Sequence, residues 1–349
     1  MRPTSLTLPA VLRRTAWWAA AALQQGREVL VATLAVGACL TAPLAATLHL
    51  APDGNDNADG SSRAKAVASM ARSWELAGRQ PSSESAVTVL VHPGIYRGQS
   101  LFIEGSRPLP TVSWQGLRQG GQGPVFVGDH RHPTWLRVKA SDGKPTGLTL
   151  EGLEVRDYHT AISLEGNRDD PAAFNEGTVI RNNVFQRIGT IATNDETKIS
   201  TAAVRFVNSR GNTVAGNRFL TIRNIKNCGS LHALYLAHFS SANRIVDNHF
   251  EDACGSVVKL RDRSNLNLVR DNRFRRLEQS PALEEWFCDM AGRKDCTKAL
   301  GECPSTGNVE AGNRLTDSAG AESVSIKGAR QPRPWCDRDD FLHQRIISR

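Results

Sequence analysis

The sequence predicts an all-β solenoid, and three observations predict it. A short phrase recurs as Thr178-x-Ile180-x-x-Asn183-x-Phe185, Asn212-x-Val214-x-x-Asn217-x-Phe219, Asn243-x-Ile245-x-x-Asn248-x-Phe250 and Asn267-x-Val269-x-x-Asn272-x-Phe274. Each copy alternates an inward apolar residue with outward polar ones at strand spacing and then turns at asparagine, so every return lays a short strand on the last. The phenylalanines stand 34, 31 and 24 residues apart, which fits coils of constant strands joined by loops of variable length. A solenoid grows by adding coils rather than by enlarging one core, so 349 residues predict one elongated domain and a monomer.

Residues 1–50 read as an export signal or a membrane anchor. Arg2, Arg13, Arg14 and Arg27 precede Val29–Leu50, a stretch of 22 residues with no charge. Cleavage after Ala45 or Ala46 would release the chain, secreted or periplasmic; an uncleaved segment of spanning length would hold it on the membrane, facing outside. Cys39 in Val36-Gly-Ala-Cys offers lipid attachment as a third fate.

Residues 51–80 read as a turn-rich linker, APDGNDNADGSS, and an amphipathic stretch from Arg63 to Leu76 with Ala64, Val67, Ala71 and Trp74 at helical spacing. A helix there would cap the solenoid, whose end otherwise shows an unpaired apolar layer to water. Asp53, Asn55, Asn57 and Asp59 have the oxygens of a calcium loop but lack its placed glycine and closing glutamate, so they read as linker. No cofactor is expected, with calcium left open.

Residues 81–278 carry the coils, beginning with Val87–Val91, Pro124–Val127, Leu136–Val138 and Leu148–Val155. Asn183, Asn217, Asn248 and Asn272 should stack as an internal hydrogen-bonding ladder at the bends. In residues 279–349 the phrase decays to Asn308-x-Glu310-x-x-Asn313-x-Leu315, a last coil, and gives way to a cysteine-rich C-terminal flap. Beyond Cys39 the cysteines are Cys228, Cys254, Cys288, Cys296, Cys303 and Cys336, an even number that reads as disulfides in an exported chain. Cys228 and Cys254 precede equivalent strands of consecutive coils, which lie about 4.8 Å apart, so they can bridge; the other four leave their pairing open. No C-x-x-C argues for zinc, and Asp129-His130-Arg131-His132 reads as an exposed turn rather than a metal site.

A second strand precedes each asparagine phrase. Aligning AISLE from Ala161, AVRFV from Ala203, ALYLA from Ala233 and VVKLR from Val257 puts Ile162, Val204, Leu234 and Val258 in one inward column and Leu164, Phe206, Leu236 and Leu260 in another. Alternation then turns Ser163, Arg205, Tyr235 and Lys259 outward, with Glu165, Val207, Ala237 and Arg261 beside them. With His232 and His238 flanking, this is a cationic wall holding groups that move protons.

The phrases TVLVHPGIYR, PVFVGD, GLTLEGLEVRDYHTAISL and ALYLAHFSSANRIVDNHF resemble the pectin-lyase-like superfamily across roughly residues 53 to 315. The resemblance implies a right-handed parallel β-helix, a fold that hosts lyases, glycosidases, epimerases, esterases and non-catalytic adhesins. VVKLRDRSNLNLVRDN is also similar to the lysine-bearing strand of chondroitinase B and alginate lyases, which implies Lys259 as a catalytic base. Those enzymes carry an arginine and a histidine on the following coil, where this chain has Glu284, Glu285 and Trp286.

Elimination on a uronate needs a cation to neutralise the sugar carboxylate, a base for the adjacent carbon acid and an acid for the departing oxygen. The sequence offers Lys259 as base, with Arg205 and Arg261 crowding it and thereby favouring the free amine, and Tyr235 or His238 as acid. Arg205, Arg261, His232 and Glu165 would bind substrate. Glu165 and Asp262 are the carboxylates a hydrolase would use, but they fall on non-adjacent rungs. The net charge of +8 favours an anionic partner; with no Lys/Arg run or basic helix, an anionic polysaccharide is expected rather than nucleic acid. A non-catalytic carbohydrate-binding or surface-interaction solenoid is the alternative. H-E-x-x-H, P-loop and G-x-S-x-G motifs are absent from the sequence.

Overall fold

The computed structural model describes residues 46–80, 86–105, 110–129, 131–189, 201–224, 228–277, 281–289, 302–318 and the cysteines at 296 and 336. The segment up to Ala45 that reads as an export signal or membrane anchor, including Cys39, lies outside the described residues, as do His130 and most of the flap.

Three long sheets run the length of the coil, and every pairing between their strands is parallel. Among the described residues one has nine strands, from Thr47–Leu50 to Val309–Ala311; one has eight, from Gly94–Arg97 to Arg314–Thr316; and one has seven, from Leu101–Gly105 to Leu283–Trp286. A representative coil passes from Val179–Arg181 in the first, through Val184–Gln186 in the second, to Ala202–Val207 in the third, and returns at Thr213–Ala215. The chain is thus a right-handed parallel β-helix. Apolar residues from all three walls fill one continuous core, with Val214, Phe219 and Phe206 each fully buried from a different sheet.

The recurring asparagine phrase builds the corner between the nine- and eight-stranded sheets. At this corner one residue per coil takes a left-handed backbone, with φ between 55° and 70° at Gly152, Asn182, Gly216, Asp247, Asp271 and Gly312. Glycine, asparagine and aspartate tolerate that conformation best. At Gly216 a side chain would also collide, since a Cβ would sit 2.6 Å from Asn182 Oδ1. The next residue turns inward, and there the expected ladder forms. Each Nδ2 donates to the Oδ1 one coil on, from Asn183 to Asn217 at 3.1 Å, then to Asn248, Asn272 and Asn313 at 3.0 Å per step. The first asparagine of the phrase makes a second ladder that the sequence reading did not separate out: Asn212, Asn243, Asn267 and Asn308, spaced by bonds of 2.8 to 3.1 Å. Beside the first ladder Phe185, Phe219, Phe250 and Phe274 stack with centroids 4.9, 4.9 and 5.0 Å apart.

At the N-terminal end the apolar segment expected over Val29–Leu50 yields its last four residues to the solenoid. Thr47–Leu50 pairs with Thr88–Val91, and Leu48 and Leu50 are buried. The capping helix is present but spans Met70–Gly78, not Arg63–Leu76. Ser69 Oγ accepts from Arg72 N and Asp56 accepts from the backbone of Ala68 and Ser69, which starts the helix there. Upstream, Arg63–Lys65 is a single 3-10 turn and Val67 bridges to Leu50, so Ala64 faces water. Met70, Ser73, Leu76 and Ala77 lie on the core, and Trp114 Nε1 donates to Ser73 Oγ. Among the described residues no helix is long and apolar enough to cross a membrane.

Cys228 bridges Cys254 on the next coil, as the strand spacing allows, with Cα atoms 5.2 Å apart. The flap is tied by Cys288–Cys296 and Cys303–Cys336. Two inward columns end on acids here: Glu285 follows Leu260 and Glu310 follows Val269. Burial pushes both carboxyls up.

Candidate functional site on the seven-stranded wall

Strand register places the candidate residues as the alternation predicts. Ser163 pairs with Arg205, Arg205 with Tyr235, Tyr235 with Lys259 and Lys259 with Glu284 on successive rungs. In the neighbouring outward column Glu165 pairs with Val207, Ala237 with Arg261 and Arg261 with Trp286. Arg205, Tyr235 and Lys259 therefore share one wall.

Their electrostatics differ from the expected crowd of cations. Lys259 Nζ lies 3.1 Å from Glu284 Oε2, with 16% of the side chain exposed, and Glu284 in turn accepts from Ser256 Oγ. Burial pushes the Glu284 carboxyl up, but Ser256 and the Lys259 ammonium outweigh it and hold it below its ordinary value. Arg205 does not press on Lys259; it donates to Glu165 Oε1 at 2.7 Å and to Ser163 Oγ at 3.1 Å. Arg261 is held by Glu302, with Nε and Nη2 2.6 to 3.1 Å from its carboxylate oxygens, and its Nη1 donates to Tyr235 Oη at 3.0 Å. Lys259, Arg205 and Arg261 each meet a carboxylate because a buried or half-buried cation is stable only when paired and hydrogen-bonded.

Glu165 is buried and saturated, accepting from Arg137, Arg205 and Ser163. Burial raises its carboxyl, yet Arg137, Ser163 and Arg205 hold it below the usual range, so it is a fixed anion rather than a ligand-facing acid. His232 is also not a solvent-facing proton carrier. Its ring is 4% exposed, stacks on Tyr235 at 5.4 Å and donates from Nδ1 to the Ser256 carbonyl at 2.6 Å. Burial, with Lys259 close by, lowers it to about 4. His238 is 7% exposed, and its Nδ1 meets Asp262 Oδ2 at 2.8 Å. Burial raises the Tyr235 phenol and keeps it protonated against the Arg261 charge.

His238, Asp262 and Glu302 each bring a ligand atom within 4.8 Å of the others. Their lone pairs are already taken: Asp262 also accepts from Arg263 Nη1 and Cys303 N, and Glu302 from Arg261 and Cys288 N. The group pins the flap to the wall and does not fit a cation.

Sequence reasoning missed Glu302, Trp286, Ser256 and Arg137. Glu302 lies 41 residues beyond Arg261, and its neighbour Cys303 is the only sequence signal that this segment is fixed. Trp286 forms a floor, with Arg261 Cζ 4.5 Å and Lys259 Nζ 5.3 Å from its ring centroid. Tyr235 and Trp286 thus present π-faces and edges beside two cations, an arrangement suited to a sugar ring carrying an anionic group.

No family model matches the chain, and no curated protein matches it in sequence. Among solved structures it is similar to a pectate lyase at 14% identity, TM-score 0.39, over 78% of this chain and 62% of that one. It is similar to a pectate lyase from a Bacillus species in complex with trigalacturonate at 13% identity, TM-score 0.40, over 82% of this chain and 89% of that one. An alginate lyase from a Paenibacillus species aligns at 10% identity, TM-score 0.32, over 74% of this chain and 98% of that one. The parallel β-helix is established by the chain's own strand pairing.

Proposed function

We propose that this is an exported β-helix that binds an anionic polysaccharide on the seven-stranded wall. The observation that carries the reading is the convergence of Tyr235, Lys259 and Arg261 on Trp286, with Arg261 bonded to Tyr235. A uronate stacked on Trp286 would lay its carboxylate against Arg261 and Lys259, exchanging part of their contact with Glu302 and Glu284 for the ligand. The three disulfides support export, since such bonds persist in oxidising compartments.

A second reading, β-elimination, is favoured by the protonated Tyr235 phenol one rung from Lys259. Lys259 would remove the proton next to the carboxylate, the C–H pair would form the double bond, and Tyr235 would protonate the departing glycosidic oxygen. The Glu284 contact opposes this, because the Lys259 Nζ that would take the proton is already engaged by the Glu284 carboxylate at 3.1 Å.

The readings separate on one experiment. The mature protein is incubated with alginate, polygalacturonate and glycosaminoglycans while ultraviolet absorbance follows unsaturated products and affinity electrophoresis follows binding. Trp286→Ala should weaken binding about tenfold, the scale of a lost aromatic–cation platform. Lys259→Ala should abolish any absorbance gain without unfolding the chain. Binding with no absorbance gain on any polymer leaves the non-catalytic reading; no binding, or binding unaffected by Trp286→Ala, ends the proposal.

A further inference from the structure

Arg137, Arg205, Lys259 and Arg261 of the seven-stranded wall each meet an acid, whereas one column of the eight-stranded wall holds arginines that meet none among the described residues. Register puts Arg218, His249, Arg273 and Arg314 on successive rungs of one outward column. Arg218, Arg273 and Arg314 are exposed, and among the described residues none has an acidic partner. Their neighbours do: His249 is bonded to Glu251 at 2.9 Å, Arg276 also pairs with Glu251, and Arg275 pairs with Asp317. Asp247 and Asp271 stand at the adjoining corner, and Asp271 is engaged by Arg270.

Like charges stacked on adjacent rungs repel, and rungs about 4.8 Å apart bring Arg273 and Arg314 within that range. Nothing in the fold is gained from this, since each coil already closes through its asparagine ladder and phenylalanine stack. Toward the N-terminus the same column continues through Val184, Glu154 and Val125 into an open cleft of about 350 Å³, with Arg118 and Asn182 on its walls. A line of cations leading to a cleft is the shape of a track.

We propose that the eight-stranded wall docks a linear acidic polysaccharide, whose carboxylates or sulfates pair with Arg218, Arg273 and Arg314. The phenylalanines of this sheet all point inward, and the one ring of the column, His249, is held by Glu251, so the column offers no row of aromatic faces for successive nucleobases to stack on. A single row of guanidiniums also matches a single chain of anions better than the two phosphate rows of a duplex. The inference goes beyond the proposed site: it concerns another sheet, and it would stand if the seven-stranded wall bound nothing.

Full-length protein is run through gels containing alginate, polygalacturonate, heparin or a single-stranded oligothymidylate, and dissociation constants are taken from retardation against polymer concentration. The variants are Arg218→Ser/Arg273→Ser/Arg314→Ser, a charge-matched control Arg63→Ser/Lys65→Ser/Arg79→Ser at the capping end, and Lys259→Ala. The ladder triple should weaken polysaccharide binding at least tenfold while the control changes it less than twofold, with thermal melts confirming that both fold. Alginate and heparin separate a preference for carboxylates from one for sulfates. The proposal is overturned if both triples weaken binding equally, if the ladder triple binds as wild type, or if only the oligothymidylate retards the chain. Loss in Lys259→Ala with the ladder triple intact would end the track and leave the seven-stranded site standing; the reverse would do the opposite.

Discussion

Individual residues on the candidate wall show how burial decides which chemistry a side chain keeps. His232 flanks the outward column in sequence and reads as a proton carrier, yet its ring is enclosed between Tyr235 and the Ser256 carbonyl and lowered to about 4. A histidine lowered in the folded state resists protonation there more than in the unfolded chain, where it titrates near 6.5. Its contribution to stability is therefore complete above about pH 6.5 and is lost as pH falls toward 4, in total about 3 kcal/mol. We expect urea midpoints to fall between pH 7 and pH 5, and His232→Gln to lose part of that dependence. The remainder belongs partly to His49 and His92, both lowered first by burial. An unchanged pH profile in His232→Gln would show that the ring is protonated in place.

At the scale of elements, the asparagine ladders bear the cost of every corner. Asn248 Oδ1 accepts from both the backbone and the side chain of Asn217, while its Nδ2 donates to Val214 O and Asn272 Oδ1. Replacing it by alanine strands several buried polar groups at once, each costing about 1–3 kcal/mol, so Asn248→Ala should lose roughly 3–4 kcal/mol. Chemical denaturation tests this, and a loss under about 1 kcal/mol would mean that water replaces the amide. The ladder from Asn183 to Asn313 was legible because its corner repeats the same two residues on successive coils, a left-handed one and then an inward amide, whereas the second ladder, from Asn212 to Asn308, was not read. The start of the capping helix was less legible: a periodic apolar pattern begins at Ala64, but the Ser69 cap and the Val67 bridge to Leu50 decide where the helix begins.

Over the whole molecule, the two ends of the coil are closed differently. The N-terminal end is covered by Met70–Gly78, whereas at the other end two apolar columns stop on Glu285 and Glu310. Glu285 accepts from Ser305 N, while Glu310 Oε1 is buried with no partner among the described residues. Because burial raises both, the folded state holds their protons more tightly than the unfolded chain. Stability from this source is greatest at acid pH and falls as pH rises above the ordinary carboxylate value, opposite in sign to His232. Glu310→Gln should flatten that fall and raise stability at neutral pH by about 1 kcal/mol, measured by thermal melts from pH 4 to 7. A destabilised variant would show that the carboxylate is paired.

The sequence by itself determined the coil, its inward columns, the outward register of Arg205, Tyr235 and Lys259, and the Cys228–Cys254 bridge, because all of these follow from a period and a rung spacing that repeat locally. Only the tertiary structure decided which acid each cation meets: Glu302 reaches Arg261 from the flap, and Glu284 takes Lys259 from the next rung. It also decided that Arg218, Arg273 and Arg314 meet none among the described residues. Alternation fixes the wall a side chain faces, but charge pairing depends on loops of irregular length, whose paths no repeat encodes.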